Sequence, residues 1–141
     1  MTGDLSELFM GHSSWFEYAN TNRIYKNYHF AFKAKTGANR ISFSSYPGYL
    51  ESLDDFYMMD SGLGMVQTSN GVPNNTLLDL ITPQTLLAWQ RVRVASAMAS
   101  TGEEWWSTFK THASGTYVNQ YMVVDFKQFV PGAALPPGRS G

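Results

Sequence analysis

Residues 82–109 constrain the fold more than any other stretch, because they carry two helix signatures end to end between segments that alternate like strands. Thr82 can accept backbone N–H groups as an N-cap, Pro83 suits the first helical position, and residues 84–100 contain no interior Gly or Pro. Trp89, Val92, Ala95 and Ala99 recur at spacings of three and four, while Gln90, Arg93 and Ser100 share another face with Ala97. This pattern predicts a helix packed on one side. Thr101 and Glu104 then form a capping-box pair before Trp105, Trp106 and Phe109, predicting a second, shorter helix that Ser114-Gly115 breaks.

The flanking segments read as strands. Residues 8–16 alternate loosely and predict one strand. Residues 18–35 have no single clean period and predict a helical turn that finishes extended. Residues 41–46 alternate, Pro47-Gly48 supplies a turn, and residues 50–59 complete a hairpin. Asp60-Ser61-Gly62 is a second turn, residues 63–69 continue the meander, and Asn70-Gly71 closes it. Residues 117–126 return as a strand with Val123 and Val124 at its centre. Strands, a helix pair and a further strand predict an α+β domain whose helix pair covers one face of an antiparallel sheet. Alternating βαβ units are absent, which argues against a doubly wound fold.

At 141 residues one domain is expected, here over residues 1–130, with the Pro/Gly-rich 131–141 reading as a linker or ragged end. Ten basic and eleven acidic residues, scattered, give a formal charge of -1 and argue against a nucleic-acid partner. The absence of cysteine excludes disulfides, zinc-thiolate sites, iron–sulfur clusters and a cysteine nucleophile within this stretch. No window approaches the roughly 18 consecutive apolar residues of a membrane span. Asp4 and Glu7 stand where a secretory signal would be basic and then apolar, so no signal peptide is expected in this chain.

Spacing alone names no reaction. Gly11-His12-Ser13-Ser14-Trp15 begins like a nucleophile elbow but has Trp where the second Gly belongs. Gly62-Leu63-Gly64 starts as a dinucleotide fingerprint without its third Gly or a following helix. His12, His29 and His112 lack the close spacing of metal ligands, so neither a metal nor a cofactor is expected. Asp54 and Asp55, adjacent in an extended segment, face opposite ways and suit a loop-holding role better than a shared proton. The aromatic residues serve a core first, and exposed ones could stack on sugar rings.

Taken together the motifs resemble the phospholipase B-like family of N-terminal-nucleophile hydrolases. The matching stretches are Leu8-Phe9-Met10-Gly11-His12-Ser13-Ser14-Trp15, Arg23-Ile24-Tyr25-Lys26, Ser44-Ser45-Tyr46-Pro47-Gly48 and Asp54-Asp55-Phe56-Tyr57. They continue with Gln67-Thr68-Ser69-Asn70, residues 89–93, Ser114-Gly115-Thr116-Tyr117-Val118-Asn119-Gln120 and Met122-Val123-Val124-Asp125. The resemblance implies a four-layer αββα fold in which cleavage of a precursor exposes a cysteine as the new N-terminus. It also implies hydrolysis of ester or amide bonds in phospholipid-like substrates, in lysosomal or secreted proteins.

The family cysteine falls before Met1, so the resemblance implies that this chain is an internal piece of a catalytic domain, inactive by itself and completed by the remainder of the same precursor. His12, Trp15 and Ser69 fall on family pocket positions, and no catalytic nucleophile is carried over. Three residues apart, His12 and Trp15 face one pocket only if their strand twists or bulges. Asn74-Asn75-Thr76 is a glycosylation sequon at Asn74 compatible with the secretory route. A competing expectation is a noncatalytic lipid- or carbohydrate-binding remnant of the same fold.

Overall fold

Alternation in the first half of the chain builds a meander. The computed structural model describes residues 1–34, 36–52 and 56–134. Five strands form one antiparallel sheet in sequence order: β1 (Ile24–His29), β2 (Arg40–Ser45), β3 (Phe56–Met59), β4 (Leu63–Thr68) and β5 (Gln120–Asp125). Lys26 stands opposite Phe43, Phe43 opposite Tyr57, Tyr57 opposite Met65 and Met65 opposite Val123. One face of the sheet therefore collects these side chains with Ile41, Met59 and Leu63.

That face packs on α1 (Ala88–Met98) and α2 (Gly102–Phe109). Phe43, Tyr57, Leu63 and Met65 form a single core with Val92, Ala95, Trp105 and Phe109. Trp105 is wholly buried, stacks on Phe109 with ring centroids 4.9 Å apart, and donates Nε1–H to Ser96 Oγ at 3.2 Å. Val92, Ala95 and Ala99 face inward as their spacing predicts. Arg91 is also buried, donating from Nε to the Leu86 carbonyl (3.1 Å) and from its terminal guanidinium to the Phe109 carbonyl (2.8 Å). It ties the entry of α1 to the end of α2.

The expected turns at Pro47-Gly48 and Asp60-Ser61-Gly62 form, while Asn70-Gly71 makes no turn because β4 pairs next with β5, far along the chain. Gly62 takes φ +80° and donates to Met59 O at 3.0 Å, while Gly48 takes φ +79°. The hairpin between β2 and β3 is present, but β3 begins at Phe56 rather than near Leu50. Ser45 Oγ donates to the Glu51 carbonyl and Ser52 N–H donates to Tyr57 Oη at 2.7 Å, so side chains take the backbone groups a ladder would need. Asp54, Asp55 and residues 135–141 lie outside the described residues.

Three further expectations need correction. Residues 8–16 form no strand: no ladder partner lies beside them among the described residues, and Phe9, Trp15 and Phe16 remain exposed. The first helix starts at Ala88, not at Pro83, because Thr82 spends its carbonyl on a local turn with Thr85 and Leu86 N–H donates to His112 O at 2.9 Å. Gln90 caps it instead, its Oε1 accepting the Leu87 N–H at 3.0 Å. At α2, Thr101 Oγ1 accepts the Glu104 N–H as expected, but Glu104 reaches back to Ser100 N–H rather than to Thr101. The capping box is displaced by one residue. Of the segment 18–35, whose Lys35 lies outside the described residues, the beginning is as expected, a 3-10 turn at Tyr18–Asn20 preceding β1.

The connection from β1 to β2 is clamped to the end of α1, where the N–H groups of Gly37 and Ala38 both donate to Ala97 O at 3.0 Å. The opposite sheet face presents Tyr25, Phe56, Met58, Val66, Met122 and Val124 by register. The N-terminal segment crosses it at Gly64, where a Cβ would stand 2.5 Å from the Met10 methyl. Among the described residues no helix is long and apolar enough to cross a membrane.

Candidate functional site

Strand β4 ends in Gln67 and Thr68, and the chain leaves the sheet at Ser69. A cleft of about 460 Å³ opens there, lined by His12, Trp15, Tyr46, Gln67, Ser69 and Tyr117 among others. The three residues singled out from the sequence thus line one cavity. His12 and Trp15 meet there because residues 8–16 are irregular, and the two-residue alternation that would send them to opposite faces does not apply. His12 is half-buried, and its Nδ1 is shielded from solvent without a hydrogen-bond partner among the described residues. Trp15, 94% exposed, and Ser69 form the rim.

The cleft floor is cross-linked. Gln67 is buried and its Oε1 accepts from Asn119 Nδ2, while Asn119 Oδ1 accepts the Asn70 N–H at 3.3 Å, joining the end of β4 to the start of β5. Tyr117 holds φ +46°, a left-handed conformation rare for a bulky residue, and Tyr121 Oη donates to its carbonyl at 3.1 Å. Just before it, Thr116 Oγ1 accepts the Ala88 N–H at 2.9 Å, fastening this loop to the first turn of α1.

Gln67 and Tyr117 also line a second, inner cavity of about 130 Å³ between the sheet and α1. Its walls include Glu51, Tyr57, Met65, Trp89, Val92 and Tyr121. Burial pushes the Glu51 carboxyl above its ordinary value of 4.5. Sequence reading missed Tyr46, Gln67 and Tyr117. The available signal was Gln67, a polar residue at an inward position that the alternation of Leu63 and Met65 assigns to the core.

The imidazole of His12 and the hydroxyl of Ser69 can donate or accept hydrogen bonds in the outer cleft. Among the described residues no group of three or more His, Cys, Asp or Glu is placed to hold a metal ion. Residues 11–15 lack the strand–turn–helix of a nucleophile elbow, and Gly62-Leu63-Gly64 is a hairpin turn entering β4. Asn74 lies exposed at the start of a 3-10 segment (Asn75–Leu80), its Oδ1 accepting from the Thr76 N–H (3.1 Å) and hydroxyl (2.7 Å).

Comparison with known proteins places this arrangement. The Phospholipase B family model matches residues 1–139. Phospholipase B-like 1 of Rattus norvegicus is 58% identical over 122 residues, 86% of this chain and 22% of that protein. Phospholipase B-like 1 of Homo sapiens is 52% identical over 132 residues, covering 93% and 24% respectively. Phospholipase B of Crotalus adamanteus is 50% identical over 134 residues, with the same coverage. The chain spans about a quarter of the length of these relatives.

Proposed function

The chain belongs to the phospholipase B family, and on that footing we propose that it supplies one sheet layer and a pocket wall of a phospholipase B-like hydrolase acting on ester or amide bonds of phospholipid-like substrates. The observation that carries this reading is the convergence of His12, Trp15 and Ser69, distant in sequence, on one cleft in a chain of this family.

In this reading the nucleophile is a cysteine contributed by polypeptide outside these residues, since the chain contains none. An N-terminal cysteine carries its own base, an α-amino group with pKa near 8, which takes the thiol proton before the thiolate attacks the carbonyl. The tetrahedral intermediate needs donors aimed at its oxyanion. Ser69, the His12 ring N–H and the Trp15 indole N–H are among the side-chain donors that line the cleft. The sheet is then one inner layer of an αββα sandwich, and the apolar residues on its second face, Met122 at 45% exposure among them, support a further layer there. A secretory or lysosomal route, with glycan on exposed Asn74, accompanies this reading.

The test compares phospholipid hydrolysis by the 141-residue chain with that of a form extended through the family cysteine. The chain alone is expected to be inactive, the extended form active, and its Cys→Ala variant inactive. Equal turnover by chain and extended form would reject the assignment.

A further inference from the structure

The inner cavity has a chemistry of its own. Tyr57, Trp89, Tyr117 and Tyr121 line it together with Glu51, whose half-buried carboxylate receives no hydrogen bond or ion pair from the described residues. A carboxylate held at an apolar wall without a donor is costly unless a cation joins it. A neutral hydrocarbon would complete its desolvation without compensating it. A small metal ion would demand more oxygen ligands than one carboxylate supplies. A quaternary ammonium asks for no hydrogen bonds, pairs with the carboxylate and gains from aromatic walls. The volume, about 130 Å³, is close to the roughly 150 Å³ of a cavity that accepts benzene, which suits a trimethylammonium head.

We propose that the inner cavity binds a small quaternary ammonium group, with Glu51 as counter-ion and the aromatic side chains as its walls. Gln67 and Tyr117 border both cavities, so the ammonium site lies next to the outer cleft. Taken with the hydrolase reading, on which this step alone rests, the occupant is a lipid with a choline-type head group.

Calorimetric titration of the chain with choline and with its neutral isostere 3,3-dimethyl-1-butanol tests the site. Choline is expected to bind about tenfold tighter than the isostere, the scale of one desolvated cation contact. Glu51→Gln should erase that preference, Glu51→Asp should keep most of it, and Trp89→Leu should weaken choline several-fold, each variant first checked for an unchanged circular dichroism spectrum. Equal affinity for the two ligands, no choline binding up to roughly 50 mM, or unchanged choline affinity in Glu51→Gln would each overturn the proposal. Dihexanoyl phosphatidylcholine below its micelle concentration separates the sources. Tighter binding than choline, lost in Trp15→Ala, assigns a lipid head group; no gain over choline supports the site with a free ammonium compound as occupant. All of this is read without turnover, so an inactive extended protein would reject the hydrolase reading and leave this one intact.

Discussion

Gly37 shows how little slack some positions have. A Cβ there would stand 2.2 Å from the Ala99 carbonyl oxygen, and both partners are backbone, so neither can swing away. Gly37→Ala is expected to cost about 2–3 kcal/mol, read as a shift in urea midpoint with unchanged slope. Nothing in the sequence marks Gly37, because its constraint comes from a helix end sixty-odd positions away. Glu51 gives the pH signature. Its folded pKa is raised by burial above 4.5, so its protonated form favours the folded chain, and stability falls as pH climbs from about 4.5 through the folded value. The unfolding midpoint at pH 4, taken relative to that at pH 7, should therefore be lower in Glu51→Gln than in the parent. A residue-scale reading of the sequence reaches His12 as a candidate site residue by its chemistry, and Trp15 and Ser69 as pocket positions through family motifs, because an exposed indole and a common hydroxyl carry no such signal alone.

At the scale of elements, the helix pair was legible as a pair and misread at its entrance. Thr82 and Pro83 have the right residue types for a helix start, yet Leu86 is claimed by His112 and the helix begins at Ala88 instead of Pro83. Long-range pairing overrode a local signal. Thr101 had no such competitor, and it caps as its side chain suggests. The two threonines should separate cleanly by mutation: Thr101→Ala is expected to cost about 1 kcal/mol, and Thr82→Ala close to nothing, by chemical denaturation. Strand β2 was legible because one face is buried, which enforces alternation, and β4, buried from Leu63 to Gln67, was legible as a short apolar run. Residues 8–16 alternate with no partner strand beside them among the described residues, and alternation without a ladder makes no strand.

For the molecule as a whole, the meander order followed from the turns at Gly48 and Gly62, whereas the tight pairing of β4 with β5 across the helix pair was visible only in three dimensions. The half-covered second face has a measurable consequence. Met122 is 45% exposed on an edge strand, next in register to Val66. Met122→Lys is expected to reduce self-association in sedimentation velocity while leaving the unfolding midpoint within about 0.5 kcal/mol; unchanged association would show that this face is not the sticky one.

The strand order also sets a timetable. Strands β2 to β4 each pair with the preceding strand across a short connection, so their contacts close small loops, while β5 pairs with β4 only across everything between Thr68 and Gln120. Closure of that last seam brings Asn119 to Gln67 and Thr116 to Ala88. Both cavities depend on that seam, so a chain in which it stays open would carry most of its sheet and neither cavity.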